Sequence, residues 1–291
     1  MEYKLKKEYI KSPMNYIGGK FKLLPQLLDK FPNKINMIYD VFGGGGTISL
    51  NTKAEHIYYN DIVHYVGDMF NSLQDETIES ALNKIEKIIN TYQLSITNLE
   101  GFNKLREDYN KGNKSWDMFY MLVCHSFNYQ FRFNNNHEYN SSFGKDRSCY
   151  SATTEQKFVT FLEHLHNLDI TFNSKDFRDI DFSDADSNDL VYFDPPYLIT
   201  CGNYNDGKRG FKGWNKQDDK DLFDLCDRLD NQGTRFAMSN VFECKGKSND
   251  ELKEWSKKYN VYHLNNTYGN CNYHAKDKSN NSTDEVLITN Y

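Results

Sequence analysis

The chain has 291 residues, 38% of them hydrophobic, and a formal net charge of -6. This length allows one large core, or a core domain with a smaller one inserted, and the charge excludes a histone-like polybasic binder but not a local basic cleft. Residues 1–13 are charged and lack the apolar centre of a signal peptide, and the longest apolar stretch, 118–124, is too short to span a bilayer. We therefore expect a soluble protein of the cytoplasm.

The six cysteines and eight histidines show no spacing typical of a metal site. No two cysteines form a C-x-x-C sequence, and no H-E-x-x-H sequence occurs. Scattered cysteines of this kind suit reduced thiols, so we expect neither disulfides nor a catalytic metal.

In chain order, the first patterns indicate alternating helices and strands. Pro25 falls in the first turn of an amphipathic run, and Asp61 ends the second apolar strand. The predicted segments are a helix at 20–31, a strand at 35–42, a glycine turn at 43–46, a helix start at 47–53 and a strand at 56–60. Strand, glycine turn, helix and strand in this order are typical of the opening of an α/β sheet.

The middle of the chain is helical and then polar, and strand patterns resume after it. The predicted segments are helices within 65–125, a stretch rich in Asn, Tyr and Phe at 127–151, a helix at 154–168, strands within 169–177, 189–197, 234–242 and 285–291, and a helix at 217–230. The organisation that fits is one α/β domain, residues 1–71 and 166–291, interrupted by a mainly helical insertion, residues 72–165.

The glycines at 43–46 allow a tight turn and the close approach of a ligand to the backbone. A phosphate-binding P-loop needs Lys followed by Ser or Thr after its last glycine, and Thr47-Ile48 does not fit. A dinucleotide-binding turn is weakened because Ile48 occupies the position of its third small residue. A turn that binds S-adenosylmethionine fits better, since its partners are carboxylates for the ribose hydroxyls and the cationic amine.

Asp40 and Asp61 stand where those carboxylates are needed. Asp40 precedes the glycine turn, and Asp61 lies at the tip of the second strand, where Rossmann-like folds bind ribose. For Asp40 taken alone, a helix cap is an alternative interpretation, and a purely structural turn is an alternative for the glycines.

The sequence Asp194-Pro195-Pro196-Tyr197 ends a buried strand abruptly, because proline cannot donate to a sheet ladder. The Asp194 carboxylate and the Pro195 carbonyl could both accept hydrogen bonds from an amine conjugated to an aromatic ring. Those bonds would localise the amine lone pair, and the carboxylate would offset the developing positive charge. Tyr197 adds a face on which a flat base can stack. The pattern favours methylation of an amine on a planar heterocycle over a simple polyproline turn.

Taken together, these motifs resemble those of the Dam-type, D12-class DNA adenine-N6 methyltransferases of the α arrangement. In that arrangement a cofactor turn precedes a recognition insertion and D-P-P-Y follows it, as in this chain. Residues 12–20 (SPMNYIGGK) look like the family's amino-terminal cofactor motif, although many members have Trp where this chain has Tyr16. Residues 42–46 (FGGGG) match the family's F-x-G-x-G turn, and 239–240 and 285–291 also look like family features.

The resemblance implies two sets of site residues around the cofactor and the target base. The implied catalytic residues are Asp194, Pro195, Pro196 and Tyr197. The implied cofactor-binding residues are Tyr16, Lys20, Asp40, Phe42, Gly43, Gly45, Asp61, Asp176, Phe177 and Asp194.

Residues 127–147 resemble the family's recognition hairpin, in which an Arg reaches a guanine in the major groove. Arg132 falls at that position, and Asn128 lies where a residue neighbours the flipped base. Lys145 and Arg147 suit phosphate contacts, with a solvated loop as the alternative. The implied DNA-binding residues are Asn128, Gln130, Arg132, Ser142, Lys145 and Arg147.

Two of these positions depart from family members that read GATC. Those members carry an apolar residue and a Pro where this chain has Gln130 and Ser142. We expect a recognition site of GATC or a variant of it. Glutamine can pair bidentately with adenine, which favours a site that differs from GATC. The glycine-rich residues 200–214 carry basic and aromatic side chains that suit a segment closing on DNA, although ordinary loop basicity explains them almost as well.

The resemblance thus implies an α/β fold with a Rossmann-like class I S-adenosylmethionine-dependent methyltransferase sheet. Residues 72–165 would be an inserted, mainly helical DNA-recognition domain that carries the hairpin. The implied activity is site-specific transfer of a methyl group to N6 of a flipped adenine in duplex DNA, without a covalent enzyme intermediate. The implied partners are double-stranded DNA and, as a genetic partner, a cognate restriction endonuclease, for a monomer or weak dimer of bacterial or phage origin.

Two alternatives remain open. One is an RNA or other amine N-methyltransferase on the same fold. The other is a catalytically silent DNA-binding homologue, which would have no need of Asp194, Lys20 and Asp61 together.

Overall fold

Short apolar runs from both ends of the chain form one mixed sheet. The computed structural model describes residues 9–112, 114–200, 213–265 and 283–291. The strands are β1 (Met37–Asp40), β2 (His56–Asn60), β3 (Ile170–Asn173), β4 (Leu190–Phe193), β5 (Arg235–Cys244), β6 (Lys247–Ser248), β7 (Asn260–Leu264) and β8 (Thr283–Thr289). The helices are α1 (Leu24–Lys30), α2 (Tyr65–Gln74), α3 (Ile78–Tyr92), α4 (Leu99–Lys111), α5 (Trp116–His125), α6 (Ala152–Leu165), α7 (Lys216–Gln232) and α8 (Asp250–Ser256).

The strand order is β3-β2-β1-β4-β5-β8-β7, and β6 pairs with β5 outside this path. Strands β1 to β5 are parallel to one another, whereas β8 runs antiparallel between β5 and β7. The chain moves outward in one direction from β1 to β3 and in the other from β4 to β5. The direction therefore reverses between β1 and β4, the point at which open α/β sheets bind ligands.

Alternate residues of β4 face opposite sides of the sheet. Leu190 and Tyr192 belong to one cluster of buried side chains, and Val191 and Phe193 belong to the other. A strand buried on both faces reads as a continuous apolar run, which is why its sequence shows no alternation with polar residues. The first cluster is covered by α1 to α6, and the second by α7 and α8.

Helices α2 to α6 share one continuous core with the sheet. The first buried cluster contains Ile38 and Leu190 of the sheet together with Ile85, Phe102 and Phe158 of these helices. The helical predictions for the middle of the chain are confirmed, with α3 to α6 lying wholly inside 72–165. Among the described residues, no helix is long and apolar enough to cross a bilayer.

Most predicted strands and helices agree with the structure, and β2 has the predicted bounds. Pro25 lies in the first turn of α1, as predicted. The helix start predicted at 47–53 is wrong, because these residues form successive turns. The backbone N–H of Ser49 donates to the Asp40 carboxylate at 3.1 Å instead of to a helical carbonyl, and Gly46 has a φ of 74°. These contacts replace a regular helical ladder.

The predicted recognition hairpin has antiparallel contacts but no regular strands within the described part of 126–143. Two isolated bridges join Ser126 to Phe143 and Phe133 to Tyr139. Beside the inner bridge, the Asn140 N–H donates to the Arg132 carbonyl at 2.9 Å. The segment folds back on itself without forming a ladder.

Candidate active site

Four parallel strands bring acidic residues to one edge of the sheet. Asp40 ends β1, Asp61 follows β2, Asp176 lies shortly after β3, and Asp194 follows β4. Carboxyl ends of parallel strands meet at the same edge, so the four predicted acids lie along the edge where open α/β sheets have their ligand crevice.

The glycine turn between β1 and β2 is held by side chains from the end of β2. Asp61 accepts a hydrogen bond from the Gly44 N–H at 2.8 Å, and the Tyr59 hydroxyl donates to the Gly44 carbonyl at 2.7 Å. Gly44 has a φ of 50°, a left-handed conformation that glycine adopts without strain. A Cβ added to Gly43 would lie 2.3 Å from the buried Tyr59 ring, so this position requires glycine for close packing.

Asp40 lies behind the turn and is only 1% exposed. One of its oxygens accepts hydrogen bonds from the Ser49 N–H at 3.1 Å and the Ser49 hydroxyl at 2.6 Å. Burial raises the pKa of Asp40 to about 7, and the two Ser49 bonds oppose this shift. The carboxylate therefore braces the residues after the glycines, a contact that the sequence did not predict.

Tyr16 connects the glycine turn to residues 127–147, the predicted recognition segment. Its ring packs so closely on the turn that a Cβ added to Gly44 would lie 3.1 Å from it. The same ring meets Phe131 edge-on, with 5.8 Å between ring centroids. Beside it, the Asn15 side chain donates to the Asn128 carbonyl at 2.9 Å. The predicted cofactor motif and the predicted DNA-binding segment are thus in direct contact.

Asp194 is held between two donors. The Lys20 ammonium lies 2.9 Å from Asp194 Oδ2, and the Tyr197 hydroxyl donates to Asp194 Oδ1 at 2.9 Å. Lys20 is 7% exposed, and its ammonium lies 5.0 Å from the centre of the Tyr197 ring. Pro195 is buried and Pro196 half-buried, which fixes the backbone that carries these groups.

Glu285 on β8 also faces this group, and the sequence analysis did not single it out. It is 1% exposed, with Oε1 lying 3.3 Å from the Tyr197 hydroxyl and 3.7 Å from the Lys20 ammonium. Burial and the carboxylates of Asp194 and Glu285 raise the pKa of Tyr197 well above its usual value, so the hydroxyl keeps its proton. An acid directly before the apolar run Val286–Ile288 was the available signal.

Three aromatic rings lie together beside the glycine turn. The ring centroids of Phe42, Phe177 and Trp214 are each 5.7 Å from the other two. Asp176 accepts a hydrogen bond from the Arg178 N–H at 3.0 Å, and the Arg178 guanidinium lies over the Phe177 ring at 4.3 Å. Phe42, Asp176 and Phe177 were predicted at this place, whereas Trp214 was not.

The predicted DNA-binding residues lie on one exposed segment that is anchored from beneath. Phe133 stacks on Tyr65 with 3.6 Å between ring centroids, and the Tyr139 and Ser126 hydroxyls lie 2.7 Å apart. Gln130 is half-buried, and the other five are exposed: Asn128, Arg132, Ser142, Lys145 and Arg147. Within the described chain, the Asn15–Asn128 bond is the contact that joins this set directly to the amino-terminal motif.

Most of the basic and aromatic loop predicted at 200–214 lies outside the described residues, which resume at Gly213. In the described part of the chain, no three His, Cys, Asp or Glu side chains come together as a metal site.

The chain is similar to known DNA methyltransferases over nearly its whole length. A family model described as D12 class N6 adenine-specific DNA methyltransferase matches residues 16–270. The chain is 47% identical over 283 residues to the type II methyltransferase M.FokI of Planomicrobium okeanokoites, covering 97% of this chain and 43% of that protein. It is 45% identical over 287 residues to the modification methylase StsI of Streptococcus sanguinis, covering 98% of this chain and 43% of that protein.

A third relative, the type II methyltransferase M1.LlaDCHI of Lactococcus lactis subsp. cremoris, is 24% identical over 279 residues, which cover 95% of this chain and 94% of that protein. The chain belongs to the D12 class of N6 adenine-specific DNA methyltransferases. It spans less than half the length of M.FokI and StsI.

Proposed function

We propose that this chain is a site-specific DNA methyltransferase that transfers a methyl group from S-adenosylmethionine to N6 of a flipped-out adenine. The observation that carries the proposal is the position of Asp194. It lies at the carboxyl end of β4, beside the glycine turn that follows β1, and it is held between Lys20 and Tyr197. Ligands of open α/β sheets bind at this reversal of strand order.

Asp194 and Pro195 would act on the target amine as two rigid acceptors. The adenine N6 lone pair is delocalised into the ring, so the amine is a weak nucleophile. Hydrogen bonds from its two N–H groups to the Asp194 carboxylate and the Pro195 carbonyl would localise that lone pair. The carboxylate would also offset the positive charge that develops on N6. Tyr197 would stack against the extruded base.

The crevice suits a cationic cofactor. Asp61 and Asp194 bring two carboxylates to it, and the Lys20 ammonium lies beside Asp194. When bound, S-adenosylmethionine supplies the methyl group. Its ribose would be held by Asp61, whose oxygens have capacity beyond the bonds that they accept from Gly44 and Val63.

The remaining predicted cofactor residues would shape the binding cleft. Tyr16 packs on the glycine turn, Gly43 and Gly45 keep the turn narrow, and Phe42 and Phe177 offer aromatic surface for the adenine of the cofactor. Lys20 and Asp176 would complete the contacts, and Asp40 would support the turn through Ser49.

Residues 72–165 would form the inserted DNA-recognition domain, and the segment 127–147 would read the site. Its exposed charged side chains and its link to Asn15 support this assignment. Arg132 would contact guanine, and Lys145 and Arg147 would contact phosphates. The recognition sequence would be GATC or a variant of it, and Gln130 and Ser142, which depart from the members that read GATC, favour the variant.

The names of M.FokI and StsI support a role in DNA modification, with a cognate restriction endonuclease as genetic partner. The intact contacts of Asp194 with Lys20 and Tyr197 disfavour a catalytically silent homologue.

The first experiment incubates the purified chain with labelled S-adenosylmethionine and unmethylated genomic DNA and maps N6-methyladenine at base resolution. One enriched sequence is the expected result, and it would identify the recognition site. Cofactor binding without DNA methylation would overturn the proposal and favour an RNA substrate, which the same label would detect on total RNA.

Replacement of Asp194 by alanine should abolish methylation while cofactor binding is partly retained, because the other cofactor contacts remain. Label incorporation and calorimetric titration with S-adenosylmethionine measure the two effects separately. Asp184→Ala removes an exposed acid outside the crevice and serves as the matched control. Full activity of Asp194→Ala would rule out the proposed mechanism.

A further inference from the structure

Glu285 is a buried carboxylate that the proposed reaction does not yet use. It lies on β8, opposite Val241 of β5 and Leu264 of β7, and is 1% exposed. Burial of an acid is costly unless cations or donors compensate it. Here Lys20 and Tyr197 lie within 3.7 Å and 3.3 Å of Oε1, and both also contact Asp194.

Both oxygens of Asp194 already face a donor in this structure. Tyr197 donates to Oδ1 at 2.9 Å, and Lys20 lies 2.9 Å from Oδ2. A carboxylate oxygen can accept a second bond, but each donor draws on the negative charge that has to face the amine. The target N6 group therefore competes with Tyr197 and Lys20 for Asp194.

The Tyr197 hydroxyl has one proton, so it donates fully to one carboxylate at a time. Two carboxylate oxygens of the described chain accept from it, Asp194 Oδ1 at 2.9 Å and Glu285 Oε1 at 3.3 Å. The Lys20 ammonium has three donors and lies 3.7 Å from the same Glu285 oxygen. A small shift of the Tyr197 hydroxyl or of the Lys20 ammonium moves its contact from Asp194 to Glu285.

We propose that Glu285 is a positioning residue that takes over the Tyr197 hydroxyl and draws the Lys20 ammonium when adenine N6 binds Asp194. The exchange moves hydrogen bonds only, and every proton stays on its own group. With these donors moved to Glu285, Asp194 presents more of its negative charge to the N6 amine during methyl transfer. The inference rests on the proposed function of the site.

The test is a double-mutant cycle with Glu285→Gln and Tyr197→Phe, measured as single-turnover methylation of DNA with labelled S-adenosylmethionine. Glutamine keeps an acceptor but loses the charge, so Glu285→Gln should lower the rate about tenfold while cofactor Kd changes by less than about threefold. In the Tyr197→Phe background no hydroxyl needs relocation, so the same substitution should cost distinctly less.

Asp189→Asn is the control for neutralising a buried carboxylate. Asp189 is 4% exposed and accepts the Met37 N–H at the opposite end of the sheet, so its loss should leave the single-turnover rate unchanged. If Glu285→Gln does not fold, as judged by thermal unfolding, Glu285→Asp enters the same cycle, because it withdraws the carboxylate by one methylene.

A wild-type rate in the Glu285 variant, or penalties that simply add in the cycle, would overturn the inference alone. A wild-type chain that methylates no DNA would overturn the proposed function, and the inference with it. Non-additive penalties together with normal cofactor binding are the result that supports the exchange.

Discussion

The Asp40 carboxyl is deeply buried, and among the described residues its side-chain hydrogen bonds come from Ser49 alone, which makes its protonation sensitive to pH. The carboxyl is 1% exposed, and its pKa is raised by burial from 3.8 to about 7. The backbone N–H and the hydroxyl of Ser49 both donate to this carboxyl, and they favour the charged form without cancelling the cost of burial. Between pH 3.8 and about 7, the Asp40 carboxyl therefore stays protonated in the folded chain, whereas it is ionised in the unfolded chain.

It follows that the free energy of unfolding should fall as pH rises from about 4 to about 7, by up to ~1.4 kcal/mol per pH unit from this group. Below that window the contribution is fully present, because the folded-state pKa is the higher one. Asp40→Asn should flatten this part of the profile in urea unfolding measured at several pH values. Equal slopes for the variant and the wild type would contradict the assignment to Asp40.

Gly43 should tolerate no side chain, because a Cβ there meets the Tyr59 ring at 2.3 Å. Gly43→Ala should reduce the free energy of unfolding by ~1–3 kcal/mol, the usual range for overpacking a filled site. Urea denaturation measures the effect. Gly112→Ala is the matched control, since a Cβ at that position has nothing within 4 Å. Equal stability of the two alanine variants would show that the turn can relax.

At the scale of elements, the proposed recognition segment, residues 127–147, should make two kinds of DNA contact. Arg132→Ala should relax or destroy site choice, with a loss of ~1–3 kcal/mol for the preferred sequence, if it pairs with guanine. Lys145→Ala should instead weaken binding about equally for all sequences and reduce the salt dependence by about one phosphate contact. Binding to matched and mismatched duplexes over a salt series distinguishes them. Unchanged site choice in Arg132→Ala would mean that the segment has been misassigned.

The strands and the acidic strand ends could be predicted because their signals are local. The run from Leu190 to Phe193 is apolar and stops at proline, and Asp61 directly follows a strand. The turns at 47–53 could not be predicted, since the competing acceptor for Ser49 is Asp40, nine residues away. The position of Glu285 could not be predicted from local sequence either. The antiparallel pairing of β8 with β5 brings Glu285 close to Lys20 and Tyr197, which are far from it in sequence.

At the scale of the whole molecule, the described helices inside 72–165 share a core with the sheet and should unfold together with it. Trp116 lies on α5 in the first buried cluster, and Trp255 of α8 packs against the second. Variants that keep only one of these two tryptophans should show coincident urea transitions, because a continuous core unfolds cooperatively. Separate midpoints would show that residues 72–165 are an independent folding unit.

The double contact of Tyr16 has a thermodynamic consequence. One ring packs on the glycine turn and also meets Phe131 of the recognition segment. A cofactor that orders this ring would change the affinity for DNA, and DNA would then change the affinity for the cofactor by the same factor. Either ligand can then bind first. The first ligand bears the entropic cost of ordering the Tyr16 ring, and the second ligand binds a ring that is already ordered.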